Sequence, residues 1–238
     1  MNGNIDLQDT EYLPSSPLAA ELAFTPSRQT RRIYDILAPL YPVSTLLFHS
    51  RAHKEAIAVS GIRNGMRVLE VAIGSGEMFH KLVEANPDGH TVGVDLSPNM
   101  AARTQSGSRR AFPDTAAHCQ AADARYLPFA DGSFDALVCC YLLELLSEND
   151  VEDTVSEFHR VLRASGPLTL ILIGQNKSMF NSAYRVCTKV APAFWGRQVE
   201  RHIPRVLRAR GFNVERDQKV RQIFYPSRVL VARNAEEA

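Results

Sequence analysis

VLEVAIGSGEM, Val68 to Met78, runs from a strand through a turn of small residues at Ala72, Gly74 and Gly76 into a helix. Small residues at such a turn let backbone approach a ligand that Cβ atoms would hold off. The first amides of the following helix add donors for a negatively charged group. A dinucleotide-binding G-x-G-x-x-G turn beginning at Gly74 requires glycine at position 79, where this chain has Phe79. Glu70, an acid just before the turn, also departs from a pyrophosphate turn. By itself the turn leaves a pyrophosphate ligand and another nucleoside ligand both open.

Working outward from the turn, strands and helices alternate, which is the pattern of a parallel sheet with helices on both faces. Arg67 to Ala72 reads as the first strand, with a helix from the turn through Ala85. Thr91 to Asp95 is the second strand, and Pro98 to about Arg110 a helix capped by Ser97 with proline at its first position. His118 to Ala122, Phe134 to Cys140 and Leu168 to Ile173 follow as strands, with a helix over Asp150 to Leu162. A long excursion occupies residues 176–211, and residues 214–223 and 227–233 close as two strands around Pro226, read as a hairpin. Upstream, residues 1–27 carry only acidic charges and three prolines, the composition of a loose arm. Residues 31–60 read as two helices broken near Pro39 and Pro42.

Three further elements narrow the ligand. Asp95 ends the second strand, where a carboxylate can accept hydrogen bonds from both hydroxyls of a ribose. The competing role, capping the next helix, falls to Ser97. Asp123 with Ala124 follows the third strand. An acid beside a small residue there can accept from an adenine amino group while backbone donates to a ring nitrogen. The fourth strand ends near Cys140 and Tyr141, beside the first strand, at the switch point where ligands of doubly wound sheets sit.

Composition bounds the alternatives. The chain has 238 residues, 45% of them hydrophobic and 22% charged, sufficient for one large packed domain. The apolar run Ala136 to Leu146 is interrupted by Glu144 and is shorter than the roughly 20 residues of a membrane span. The N-terminus lacks the pattern of a secretory signal, so a cytoplasmic location is expected. Cys119, Cys139, Cys140 and Cys187 form no C-x-x-C pair, which points to reduced thiols and gives no metal site. Net charge is +1, but unevenly spread: residues 185–233 hold 12 Lys/Arg against 3 Asp/Glu. That segment is either a solvated face or a basic face for an anionic partner.

The turn, Asp95, Asp123 with Ala124, and LPFADGSFDALVCCYLLELL (Leu127 to Leu146) together resemble the class I S-adenosylmethionine-dependent methyltransferases. The resemblance is closest to the branch of the menaquinone and ubiquinone C-methyltransferases and the bacterial phosphatidylethanolamine N-methyltransferases. It implies a doubly wound, Rossmann-like α/β fold with a seven-stranded sheet, mostly parallel with an antiparallel last strand. It also implies a single domain over residues 28–238, with a helical cap over 28–60, behind a flexible arm at 1–27. The implied cofactor is S-adenosylmethionine, with S-adenosylhomocysteine as product. Glu70 and the Ala72, Gly74 and Gly76 backbone would then meet the methionine part, Asp95 the ribose, Leu96 and Met100 the adenine surroundings, and Asp123 and Ala124 the adenine. Cys140 and Tyr141 would lie at the methionine amino end. Tyr34 and Tyr41, in YDILAPLY, would close over the cofactor.

Two departures stand out. The family's first turn glycine is Ala72, which is tolerable with a negative φ. The Phe-Gly-x-Arg-Asn-like segment of the quinone enzymes is replaced by Tyr141-Leu-Leu-Glu144-Leu-Leu, which weakens the transfer of quinone specificity. Tyr141 and Glu144 are the nearest polar candidates for a direct catalytic role. Each also has a plain alternative: Tyr141 packing over the cofactor, and Glu144 facing solvent at a helix start. A small lipophilic acceptor is expected, either a phospholipid amine or a quinone precursor, with the basic 185–210 region in peripheral contact with an anionic inner-membrane surface. A nucleic-acid methyltransferase is the next class. The Asp/Asn-Pro-Pro-Tyr/Phe segment of base amino-group enzymes is replaced by Cys139-Cys140-Tyr141-Leu142, which argues against a nucleic-acid partner. A non-catalytic cofactor-binding module is a third class.

Overall fold

The computed structural model describes residues 51–174, 201–222 and 226–235. The arm, the first part of the cap with Tyr34 and Tyr41, and the excursion up to residue 200 lie outside the described residues.

Seven strands form one sheet: β1 (Arg67–Val71), β2 (His90–Asp95), β3 (Ala116–Ala121), β4 (Ala136–Cys140), β5 (Pro167–Ile173), β6 (Phe212–Val220) and β7 (Ser227–Asn234). Their order is β3-β2-β1-β4-β5-β7-β6. β1 to β5 pair in parallel, and β7 runs antiparallel to both its neighbours. The order reverses between β1 and β4, which places the switch point where the glycine turn leaves β1.

The central strands are apolar on both faces, as sheets sandwiched by helices require. Leu69 and Val71 of β1, Leu137 and Cys139 of β4, and Leu168, Leu170 and Leu172 of β5 enter one core cluster. Val68, Ala136, Val138 and Ile171 enter the other. The first face is covered by α3 (Glu148–Val161) through Val151, Val155, Phe158 and Val161, and by α4 (Ile203–Ala209) through Ile203 and Leu207. The second is covered by helical residues 51–59 through Ala52 and Ala56, and by α1 (Glu77–Ala85) through Met78 and Leu82. Full burial of a side chain such as Phe158 or Leu82 contributes about 1.5–3 kcal/mol.

Helix starts follow local chemistry. Ser97 caps α2 (Pro98–Ala111) by accepting from the Met100 amide at 3.4 Å. Ser147 caps α3 by accepting from the Asp150 amide at 3.1 Å. Of the excursion, the part from residue 201 on is described. Ile203 and Leu207 face the core, while Arg201, Arg205 and Arg208 are exposed. From residue 201 on, the basic segment therefore packs on the core and presents arginines outward at the same time.

Several strand bounds differ from the sequence reading. Phe134 bridges to Leu162 instead of extending β4 alongside β1. β3 begins two residues earlier than expected, at Ala116, because register with β2 outweighs alanine's weak strand preference. β6 ends at Val220, and residues 221 and 222 carry no regular structure.

Candidate functional site

Three residues of the turn after β1 have left-handed backbone: Ala72 (φ 65°), Gly74 (φ 49°) and Gly76 (φ 82°). Ala72 thus does not take the negative φ that a methyl group prefers. Holding an L-residue there costs about 1–2 kcal/mol. The turn is held instead by backbone bonds, the Ala72 and Ile73 amides both donating to the Val94 carbonyl at 2.8 and 3.1 Å. Around Gly74 no atom stands where a Cβ would be, and the turn is open on that side. At Gly76 a Cβ would fall 2.7 Å from Thr104 Cγ2, so glycine is required by packing as well as by φ. Gly76 is also the N-cap residue of α1.

Asp95 fastens this turn to the next helix. Its Oδ2 accepts from the Gly74 amide at 2.8 Å and its Oδ1 from the Ser97 amide at 2.9 Å. The sequence alternatives for Asp95 are therefore not exclusive: the carboxylate meets the helix start and still has lone pairs at the carboxyl edge. Burial raises its pKa, although both amides work against that rise. Glu70 is buried, and its Oε2 has no hydrogen-bond partner among the described residues. Burial lifts its pKa well above the usual carboxylate range, and the Asp95 charge adds to the rise. Burial pushes the Cys119 thiol up to about 12, and the charges of Glu70 and Asp95 add to the rise. The turn thus presents open backbone beside two crowded acids, one with an unsatisfied oxygen. Such a place favours a ligand carrying hydroxyls and a cation.

After β3, Asp123 is engaged by a residue that sequence reasoning missed. Arg125 donates to Asp123 Oδ1 through Nε at 3.0 Å and to Oδ2 through Nη2 at 2.7 Å. Its Nη1 reaches Asp150 Oδ1 at 2.8 Å. The Arg125 amide also donates to Oδ1, at 3.0 Å, so Asp123 is held in a fixed orientation and keeps a lone pair on Oδ2 for a further donor. Leu96 is half exposed after β2, and Met100 is buried one helical turn on.

At the end of β4, Tyr141 also has left-handed backbone (φ 54°), and its amide donates to the Ile171 carbonyl at 2.8 Å. Its hydroxyl lies 2.7 Å from Ser227 Oγ, and Gln222 also donates to that hydroxyl, at 3.4 Å. Glu144 does not face solvent: it is 1% exposed and accepts from the Ile173 amide at 2.6 Å, tying the segment after β4 to the end of β5. Sequence reasoning also missed His53 and Glu77. His53 Nδ1 lies 3.4 Å from Glu77 Oε1, and its ring centroid is 6.4 Å from that of Tyr141. Glu77 directly follows the last turn glycine, a position that could have drawn notice. His53 comes from a separate helix and carried no local signal.

A methyltransferase-domain family matches residues 68–166, the span from β1 to the start of β5. That match makes this span a methyltransferase domain. Among curated relatives, it is 28% identical over 150 residues to a 2-phytyl-1,4-naphtoquinone methyltransferase of Nostoc punctiforme, covering 61% of this chain and 64% of that one. It is 28% identical over 164 residues to a demethylmenaquinone methyltransferase of Symbiobacterium thermophilum, covering 65% and 61%. The chain thus spans less than two thirds of the length of these relatives. Among solved structures, a SAM-dependent methyltransferase from Aquifex aeolicus superposes with a TM-score of 0.63 at 18% identity, covering 90% of this chain and 100% of that one. Magnesium protoporphyrin IX methyltransferase from Synechocystis, solved with bound SAH, gives 0.59 at 17% identity, covering 86% and 83%. Both likenesses concern the fold.

S-adenosylmethionine is the cofactor of this domain class, and the residues of the methyltransferase domain fit it. The orphaned Glu70 oxygen and the open turn at Gly74 suit the aminoacyl portion, and Asp95 suits a pair of vicinal hydroxyls. Among the described residues no group of His, Cys, Asp and Glu is arranged to hold a metal ion.

Proposed function

We propose that the chain transfers the methyl group of S-adenosylmethionine to a ring carbon of a prenylated naphthoquinol. The observation that carries the methyl-transfer part is the wiring of Gly74 to Asp95, with Glu70 left partly unsatisfied beside them. The names of the curated relatives support the acceptor class.

Bound S-adenosylmethionine supplies a methyl group already activated on a sulfonium sulfur. The chain's own task is to bind, align and exclude water. Glu70 and the backbone from Ala72 to Gly76 hold the aminoacyl portion. Asp95 holds the ribose, Leu96 and Met100 flank the adenine, and Asp123 and Ala124 meet its edge, with Arg125 keeping Asp123 oriented. Cys140 and Tyr141 close the methionine end beside the acceptor.

Incubation of the full chain with methyl-labelled S-adenosylmethionine, a 2-prenyl-1,4-naphthoquinol and, separately, phosphatidylethanolamine vesicles tests the reading. Label is expected in the naphthoquinol alone. Label in the phospholipid would replace the acceptor with a headgroup amine. Calorimetric binding of S-adenosylhomocysteine with no labelled product from either would favour a binding module.

A second reading of the surroundings has its own support. Arg201, Arg205 and Arg208 are exposed on the segment carrying α4, a basic face suited to anionic lipid. It fits a cytoplasmic protein that meets the inner membrane surface peripherally to collect a lipophilic acceptor. No helix among the described residues is long and apolar enough to cross a membrane.

A further inference from the structure

Thr104 stands in the middle of α2 and is buried. A hydroxyl inside a helix often returns to the carbonyl four residues back, as that of Ser106 does to Ala102 at 2.8 Å. Thr104 sends its hydroxyl out of the helix instead, donating to the Gly74 carbonyl at 3.3 Å from 30 residues further along the chain. Its Cγ2 methyl stands in the space that a Cβ at Gly76 would need, 2.7 Å away. On the other flank of Gly74, the amide donates to Asp95 Oδ2 at 2.8 Å, and Asp95 Oδ1 accepts from the amide of Ser97, the N-cap of α2. These contacts close a ring, from Gly74 to Asp95, from Asp95 to Ser97, along α2 to Thr104 and back to Gly74.

We propose that Thr104 is a positioning residue for the cofactor, pinning the Gly74 carbonyl so that the turn keeps the shape that receives the aminoacyl portion of S-adenosylmethionine. This rests on the reading above that the turn holds that portion. Glycine has the widest backbone freedom of any residue, and a loose turn would have to be ordered at the moment of binding, at a cost in affinity. Gly74 takes φ 49° with open space where a Cβ would stand, so packing on that side does not restrain it. Its two backbone angles turn the two peptide groups that flank it. Asp95 holds the N–H of one and Thr104 the C=O of the other, so both angles are set before a ligand arrives. Met100, which the same reading sets beside the adenine, lies four residues before Thr104 on the buried face of α2. The helix thus acts as a strut between the adenine end of the site and the turn.

Two variants of the full chain separate the hydroxyl from the packing. Thr104→Val keeps the branched shape and removes the hydroxyl, whereas Thr104→Ser keeps the hydroxyl and removes the methyl. Amide hydrogen exchange at Gly74 in the ligand-free protein, followed by NMR, is expected to quicken about three- to tenfold in Thr104→Val and to stay near the unaltered rate in Thr104→Ser. Calorimetric titration with S-adenosylhomocysteine is expected to run in parallel, with affinity about three- to tenfold lower in Thr104→Val and near the unaltered value in Thr104→Ser. Unchanged exchange in Thr104→Val would overturn the clamp. An equal change in both variants would also overturn it, leaving Thr104 only its packing against Gly76. Faster exchange with unchanged affinity would overturn the positioning role. If the unaltered chain does not bind S-adenosylhomocysteine, the cofactor reading fails, and the exchange measurement still decides the clamp on Gly74.

Discussion

Replacing Asp95 by asparagine separates the two jobs this residue holds. In the structure its carboxylate accepts from the Gly74 amide at 2.8 Å and the Ser97 amide at 2.9 Å. Hydrogen bonds to a charged group contribute about 1.5–3 kcal/mol each. Asparagine keeps one neutral acceptor and turns an amide donor toward the other N–H, so most of one bond and part of the other are lost. The expected net cost in stability is roughly 1–3 kcal/mol, a fall in Tm of about 3–10 °C for a chain of this size. The ribose side loses a charged acceptor as well, so S-adenosylhomocysteine should bind about tenfold more weakly or worse, tenfold being about 1.4 kcal/mol. Calorimetric titration alongside a thermal melt reads both effects. A lowered Tm with unchanged affinity would show that Asp95 only ties the turn to α2, and would refute its role at the ribose.

Ala72→Gly should be neutral or stabilising by up to about 1 kcal/mol in urea melts. The usual penalty of glycine, about 0.5–1 kcal/mol, is set against release from a φ of 65°. Gly76→Ala should destabilise by about 2–4 kcal/mol through backbone strain and the collision with Thr104, and Thr104→Ala should recover part of that loss in the double variant, as a melt of all three would show. Glu70→Gln should stabilise the chain at neutral pH and flatten its pH dependence. Because the folded pKa is raised, the native state holds a proton that the unfolded state has released, so stability falls as pH climbs from the ordinary carboxylate pKa through the raised one; denaturation midpoints at several pH values check the slope. Reversing the charges of Arg201, Arg205 and Arg208 should abolish co-sedimentation with anionic vesicles at low salt while leaving S-adenosylhomocysteine affinity intact.

The sheet was legible because its parallel strands announce themselves as short apolar runs punctuated by glycine and proline. The approach of Gly74 to Asp95 was legible because the two are 21 residues apart, one in the turn after β1 and the other at the end of the adjacent β2. Arg125 was missed although it lies two residues from Asp123, because a surface-type residue in a loop gives no sign of which acid it will clasp. Glu144 was misjudged because an acid at a predicted helix start looks solvated. Its burial follows from the free Ile173 amide at the end of β5, a partner 29 residues away. Tyr141 and Ser227 meet across 86 residues, only because β7 inserts antiparallel beside β5. No local pattern encodes that pairing, and the His53–Glu77 contact depends on helix packing in the same way.

The two non-glycine residues that depart most tellingly from local preference stand side by side. Ala72 follows β1 and Tyr141 follows β4, neighbouring strands at the point where strand order reverses, and both take left-handed φ, 65° and 54°. The backbone N–H of each donates a hydrogen bond to a carbonyl of the next strand outward, Val94 in β2 and Ile171 in β5. The chain therefore turns away from the sheet on both sides of the switch point, and the sheet's own edge carbonyls supply the restraint. Strain of about 1–2 kcal/mol per residue persists only where surroundings over-determine it. Glu70 and Asp95 lie on the β1–β2 side of the switch point, and Tyr141 with Ser227 and Gln222 on the β4–β7 side. The two strained turns thus hold these two sets of polar groups at the same carboxyl edge of the sheet, on either side of the switch point.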